Sequence, residues 1–288
     1  MKNRSGWYSR KEIQKVTLDW LKTNCRLTER EREILRIVQE RKLVRRDHLE
    51  IICPSYRDLN SRTRLINRAI RKLFNKMCLD KVHEEQKVGK GNTPCIVSLD
   101  RGGSLLLNVP HKKRISHEKK TIKGIDYIFR HLPTNFRHIN GVNQLEVDTI
   151  LFCEETGSEM LEWVHEKPVK MVYRGETKTL IPDISMCLRF NTEPSKPFYA
   201  FLEFDTGSEN IRYKEPPIIR DKIIKYKIYK LSKLWTDYYP YFPTLLFVTE
   251  DEGRINFFNN KCKENGIAGV GIYHENYTKA LHKIATML

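Results

Sequence analysis

A chain of 288 residues with 40% apolar and 10% aromatic residues has material for two buried cores, which excludes global disorder and exceeds the usual span of one domain. Lys and Arg number 52 against 36 Asp and Glu, and the resulting net charge of +16 favours a polyanionic partner: DNA, RNA or an anionic surface. No apolar run approaches the ~20 residues of a membrane span and no signal-peptide core opens the chain, so the expectation is a cytoplasmic protein with no membrane partner. The seven cysteines are scattered without a CxxC pair, which argues against zinc and for reduced, partly buried thiols.

In chain order, residues 9–25 carry an imperfect apolar stripe and read as a first helix. Thr28 followed by Glu31 is a capping box, and the helix it opens runs to about residue 41, with Ile34, Leu35, Ile37 and Val38 inward. Residues 44–52 read as a short helix ended by Pro54, and residues 55–60 as a turn. The longest helix of this half is expected over 58–76, where Leu65, Ile66, Ala69, Ile70, Leu73 and Phe74 recur at helical spacing. Residues 77–82 and 94–99 read as strands around a Gly- and Lys-containing loop, Gly102-Gly103 as a break, and 104–108 as the close of the unit.

Three helices followed by a hairpin is the order of a winged helix-turn-helix, in which the second helix of the pair enters the DNA major groove. Residues 57–76 hold Arg57, Arg62, Arg64, Arg68, Arg71, Lys72 and Lys76 against Asp58 alone. Arg64, Arg68, Arg71 and Lys72 share the face opposite the apolar stripe, and Asn60, Ser61, Thr63 and Asn67 supply hydrogen-bonding groups near its start. Arg and Asn are the side chains that read guanine and adenine edges with two bonds. Lys87 and Lys90 would sit on the wing and touch phosphates. The bland reading of such a helix is a solvated basic face. Charge, helix order and wing together favour double-stranded DNA, with residues 1–110 as the DNA-binding domain and the polar run 111–120 as a linker.

The second domain is expected over 121–288. Residues 121–129 read as a short helix or extended entry, and 135–155 as a helix ended by Gly157. Strands follow at 159–166, 170–174, 178–190 and 196–205, then a long helix at 212–238, a strand at 244–249, a helix at 255–265, a strand at 268–273 and a last helix at 277–286. A meander first and crossovers later indicate a mixed sheet with helices on both faces.

Two strands carry acids near their ends: Asp183 after Pro182, and Glu203 with Asp205. Glu203 and Asp205, two residues apart, project from one strand face. Such a carboxylate set suits a hard divalent cation, Mg2+ or Mn2+, able to activate water and stabilise a phosphoryl transition state. Lys222 and Lys225 on the following helix would balance the charge. The tyrosines at 213, 226, 229, 238, 239 and 241 include conceivable nicking nucleophiles, with aromatic core packing as their bland role.

The order of Pro182-Asp183, Leu202-Glu203-Phe204-Asp205 and Lys222-Ile-Ile-Lys225-Tyr226, with His138, Asn143, Trp163 and Glu166 before them, resembles the PD-(D/E)xK nuclease superfamily. More narrowly the chain is similar to the replication-relaxation family of plasmids and mobile elements, which joins a winged helix to such a domain. The resemblance implies an α+β protein: an N-terminal winged helix-turn-helix followed by a mixed-sheet α/β restriction-endonuclease-like domain. It implies a DNA-binding role in replication, mobilisation or relaxation, and metal-dependent nicking by Asp183, Glu203, Asp205 and a lysine. One departure stands out: Asp205 occupies the place of the nuclease lysine, so Lys222 or Lys225 must serve instead. The alternative is a winged-helix transcriptional regulator whose inactive nuclease-like domain serves homodimerisation or partner recruitment.

Overall fold

The computed structural model describes residues 16–83, 93–122, 125–207 and 217–287. By internal contacts the chain divides into two units, residues 1–143 and 144–288, the division falling inside one long helix. Together they form a mixed α+β protein with ten helices among the described residues.

The first unit runs α1 (Leu18–Asn24), α2 (Glu29–Arg41), β1 (Leu43–Arg45), α3 (Arg46–Ile52), α4 (Pro54–Arg57), α5 (Arg62–Asn75), β2 (Leu79–His83), β3 (Cys95–Leu99), α6 (Arg101–Leu107), β4 (Ser116–Ile122) and β5 (Ile125–His131). Helix α2 begins where its capping box places it. Thr28 Oγ1 accepts the Glu31 N–H at 3.3 Å, and Glu31 Oε2 accepts the Thr28 N–H at 2.8 Å. Ile34, Leu35 and Val38 of α2, Leu49 of α3, and Ile66 and Leu73 of α5 are fully buried and form the centre of this unit. Strands β1, β3 and β2 pair antiparallel in that order.

Several expectations are corrected. The first helix is described only from Leu18, and its expected residues before 16 lie outside the described residues, as does the loop at 84–92. Residues 43–45 form a strand because Leu43 and Val44 complete the small sheet beside β3. Pro54 does not merely end a helix: it opens the one-turn α4, since a proline at a helix start gives up no hydrogen bond. Helix α5 therefore starts at Arg62 instead of 58. The run 111–120 becomes strand β4 from Ser116 on, because residues 116–122 pair with 125–131 as an antiparallel ribbon. Its polar composition hid the strand, since both of its faces are exposed through Thr121.

The second unit holds the C-terminal part of α7 (Phe136–Thr156), then β6 (Glu159–His165), β7 (Val169–Tyr173), β8 (Glu176–Leu180), β9 (Ile184–Arg189), β10 (Phe198–Asp205), α8 (Pro217–Ser232), β11 (Thr244–Thr249), α9 (Gly253–Glu264), β12 (Gly269–Tyr273) and α10 (Tyr277–Met287). The strand expected over 178–190 is two strands: Pro182, with no N–H to donate, separates β8 from β9. Strands β7 and β8 pair as a separate hairpin. The long helix stops at Ser232, and a 3-10 turn occupies Leu234–Asp237.

The main sheet is mixed and five-stranded, ordered β12-β11-β10-β9-β6. Strands β10, β11 and β12 are parallel, and β9 and β6 run antiparallel to their neighbours. Strand β10 is central. Its Phe201, with Leu245 and Phe247 of β11, packs against Ile219, Ile223, Tyr226 and Tyr229 of α8 and Phe258 of α9. The alternate residues Ala200, Leu202 and Phe204 point the other way and are buried too, so both sheet faces are covered. Helices α7 and α10 meet through Phe152 and His282, ring centroids 4.9 Å apart, and through a 2.9 Å hydrogen bond between Thr149 and Tyr277. Among the described residues no helix is long and apolar enough to cross a membrane, and the seven cysteines are free and buried.

Gly102 and Gly103, expected as a break, instead form the first turn of α6 and lie against the chain reversal that follows α5. The Gly102 N–H donates to the Met77 carbonyl at 2.7 Å, and a Cβ at Gly102 would lie 2.7 Å from that same oxygen. At Gly103 a Cβ would fall inside the Cys78 carbonyl. Neither backbone oxygen can turn aside, so Gly103→Ala is expected to destabilise the protein by about 1–3 kcal/mol. Urea unfolding checks this; an unchanged midpoint and slope would reject the close approach.

Candidate functional sites

Helix α5 sorts its residues sharply. Ile66, Ala69, Ile70, Leu73 and Phe74 are buried. Asn60 in the preceding turn, then Thr63, Arg64, Asn67, Arg68 and Arg71, are all exposed. Their three- and four-residue spacing lines them up as one outward stripe. Arg64, Arg68 and Arg71 have no salt bridge among the described residues.

Three other residues expected on this face, Arg57, Arg62 and Lys72, bond to the protein's own framework, as does Thr63 of the stripe. Arg57 Nε donates to the Ile51 carbonyl at 2.7 Å, closing the end of α3. Arg62 Nη1 donates to the Arg57 carbonyl at 2.9 Å and faces Glu50. Thr63, although exposed, donates to Glu50 Oε2 at 2.8 Å. Lys72 Nζ donates to the Arg26 carbonyl and to Glu31 Oε2, both at 2.7 Å, tying α5 to the start of α2. Lys87 and Lys90 lie outside the described residues.

The net charge is divided unevenly. Residues 1–143 hold 33 Lys and Arg against 15 Asp and Glu, a net +18; residues 144–288 hold 19 against 21, a net −2. The whole cationic excess therefore resides in the first unit.

In the second unit the expected acids separate into two groups. Glu203, on the central strand and 2% exposed, accepts from Lys222 Nζ at 2.5 Å through one oxygen and from the Tyr226 hydroxyl at 2.6 Å through the other. Lys222 and Tyr226 are four apart on α8 and so face the strand together. Asp183 stands just before β9. Its Oδ2 accepts the Phe204 N–H at 2.8 Å, and its carbonyl accepts the Glu166 N–H at 3.0 Å. The β9–β10 ladder ends at the Leu202–Ile184 pair, so the Asp183 side chain takes the next N–H that the strand backbone no longer reaches.

Asp205 shares the strand face with Glu203 but is held elsewhere. Both its oxygens accept from Arg254 Nη1 at 3.0 Å, and Oδ2 also accepts from Thr249 Oγ1 at 2.9 Å. Lys225 is exposed and has no carboxylate partner among the described residues. Of the two candidate lysines, the structure brings only Lys222 to the acids. Asn143, part of the family-like pattern, donates to the Leu43 carbonyl at 2.7 Å. Tyr226 and Tyr229 are buried core residues.

The electrostatics follow from this packing. Burial pushes the Glu203 carboxyl up, and the Asp183 charge pushes it further. Lys222 and Tyr226 pull against them, and the net result is about 7. Burial alone would lower the Lys222 ammonium, but the carboxylates of Glu203, Asp183 and Asp205 outweigh it and hold it above its usual value. Burial and Glu203 raise the Tyr226 hydroxyl well above the ordinary tyrosine range.

A divalent cation of the implied kind needs several carboxylate oxygens aimed at one point. Here both oxygens of Glu203, both of Asp205 and one of Asp183 accept from cations, hydroxyls or an N–H. Among the described residues no group of three or more His, Cys, Asp or Glu side chains is placed to hold a metal ion. As placed, Asp183, Glu203 and Asp205 do not fit a common Mg2+ or Mn2+ site. Tyr226 and Arg254 were not anticipated as partners of the acids. The Lys222–Tyr226 spacing carried a signal for the first; Arg254, 49 residues beyond Asp205, carried none.

A family model described as replication-relaxation matches residues 35–245. No curated protein matches the chain. Among solved structures, protein VC1899 from Vibrio cholerae aligns at 8% identity with a TM-score of 0.33, over 89% of this chain and 50% of that one. The chain thus spans half the length of that protein, and a likeness this slight carries no argument.

Glu203 makes stability depend on pH. The unfolded carboxyl ionises near 4.5, whereas the folded one keeps its proton to about 7. A carboxyl raised in the folded state contributes fully at low pH, and its contribution is lost as pH rises through the folded value. Relative to Glu203→Gln, the wild type is expected to lose about 3 kcal/mol across that window. Urea midpoints of both proteins across the window measure it; parallel profiles would reject the assignment.

Proposed function

The chain belongs to the replication-relaxation family, and from that premise we propose that it is a double-stranded-DNA-binding protein of a plasmid or other mobile element, acting in its replication, mobilisation or relaxation. The observation that carries this reading is the exposed stripe of α5, where Arg64, Arg68 and Arg71 lack carboxylate partners while neighbouring cations are consumed internally.

The succession α2, α3, α5, β2, β3 supports reading residues 1–110 as a winged helix-turn-helix, with the loop around Lys87 and Lys90 as its wing. Helix α5 then enters the major groove. Arg64, Arg68 and Arg71 would contact guanine edges or phosphates, and Asn60 and Asn67 adenine edges. The positive charge that attracts a polyanion lies wholly in the same unit.

The order α7, β6, β9, β10, α8, β11 supports a restriction-endonuclease-like second domain. Its near-neutral charge and internally paired acids favour a non-catalytic platform, used for dimerisation or for a partner in replication. Metal-dependent nicking is the second reading, favoured by the closeness of Asp183, Glu203 and Lys222. It requires Lys222 and Tyr226 to release Glu203.

Two measurements test these readings. Replacing Arg64, Arg68 and Arg71 together by Ala should weaken binding to duplex DNA at least about 10-fold and lower the salt-dependence slope by about 2–3. Arg57→Ala and Lys72→Ala should lower stability instead and leave the slope nearly unchanged. Unchanged affinity and slope in the triple variant would refute α5 as the contact. In a supercoiled-plasmid assay with Mg2+ or Mn2+, the platform reading expects intact plasmid from wild type, Asp183→Ala and Glu203→Ala alike. Nicking by the wild type that both variants abolish while keeping the wild-type thermal unfolding would establish the nickase instead.

A further inference from the structure

Among the described residues the β4–β5 ribbon is two strands with no third, and residues 116–121 are exposed on both of its faces. An isolated two-stranded ribbon is marginal in water and needs an anchor. Its anchor is Asp80 of β2, 5% exposed. His117 Nε2 donates to Asp80 Oδ2 at 2.5 Å, and Arg130 Nε donates to Oδ1 at 3.2 Å. His117 and Arg130 are a cross-strand pair, so one buried carboxylate holds both strands at one level.

The anchor lies beside α5. The guanidinium of Arg130 stands 5.6 Å from the ring of Phe74, the α5 residue that Lys81 also caps from 4.7 Å. Arg71, exposed on the α5 stripe, precedes Phe74 by three residues. Lys81 feels the charges of both Arg71 and Arg130, so the C-terminal end of the α5 stripe lies near the foot of the ribbon.

The ribbon and its lead-in are densely cationic. Residues 112–120 hold Lys112, Lys113, Arg114, Lys119 and Lys120 against Glu118 alone. Lys112 and Lys113 are exposed and have no carboxylate partner among the described residues. Lys120 pairs with Glu118 at 3.1 Å and stands over the Phe129 ring.

We propose that this ribbon is a second DNA-contacting arm, which grips the phosphate backbone flanking the site that α5 occupies. The proposal rests on the DNA-binding reading of α5. Charge complementarity selects the occupant, and lysines, which meet phosphate as point charges, make the contact sequence-independent. A polar basic segment of this kind reads as a linker in the sequence; the buried Asp80 anchor is what gives it a fixed place.

The test is a fluorescence-anisotropy titration of the full chain on an arbitrary duplex of about 30 base pairs, between about 50 and 200 mM salt. The variants carry Lys112, Lys113, Lys119 and Lys120 all as Ala, or all as Arg. The Ala variant is expected to lose about 2–3 in slope and at least about 10-fold in affinity, with its thermal unfolding unchanged, and the Arg variant to keep both. Equal slopes for wild type and the Ala variant overturn the arm while leaving α5 in place. Lost affinity with an unchanged slope overturns it too, because phosphate contacts must show in the slope. No binding by the wild type overturns the arm together with the reading it rests on.

Discussion

A carboxylate lies buried on the central strand of the mixed sheet, and the second unit is arranged around meeting its demands. Burying an ion without partners is prohibitive, so Glu203 must hold its proton, find donors, or do both. Lys222 and Tyr226 provide the donors and come from one face of α8. That pins α8 across β10 and brings Ile219, Ile223 and Tyr229 onto Phe201, Leu245 and Phe247. Asp205 does the same for α9 through Arg254, which continues to Asp251 and the Gly207 carbonyl. Each acid on this face of β10 thereby fixes one covering helix.

The first unit also buries bridged charges, among them Glu31 with Lys72 and Asp80 with Arg130, but its surplus cations are left outside. Helix geometry separates the cations that build from the cations that remain available. Arg57 and Lys72 lie where they reach carbonyls of α3 and of the α1–α2 connection, whereas Arg64, Arg68 and Arg71 lie on the remaining arc. With a net +18 in this unit and −2 in the other, long-range attraction of a polyanion is a property of the N-terminal half.

Legibility in the sequence tracked how local the determining physics was. The α2 capping box, the buried stripe of α5 and the strand at 244–249 could be read because each depends on neighbours within a turn or a strand. The β4–β5 ribbon was missed because nothing in it alternates between apolar and polar; its stability comes from Asp80, 37 residues before His117. Gly102 and Gly103 read as a break because a glycine chosen for close approach looks, in sequence, like one chosen for a turn. At the acids, the residue types and the shared face of Glu203 and Asp205 were legible, but the partners were not. Arg254 meets Asp205 only through the β10–β11–α9 crossover.

This difference bears on what substitutions at the acids mean. Glu203→Ala removes the acceptor of a buried lysine and a buried tyrosine hydroxyl, so it disturbs α8 whether or not the site has chemistry. Asp205→Ala likewise takes from Arg254, which is 5% exposed, the carboxylate that both its Asp205 bonds reach. At Asp183 one oxygen accepts the Phe204 N–H, and an Asn side chain can accept that bond equally well. Asp183→Asn removes the charge and keeps an acceptor for that N–H. Because that charge helps to raise Glu203, its removal lets Glu203 ionise more readily and tightens the pair with Lys222. At Asp183, then, a charge acting on the Glu203–Lys222 pair can be removed while the bond to the β10 backbone keeps its acceptor.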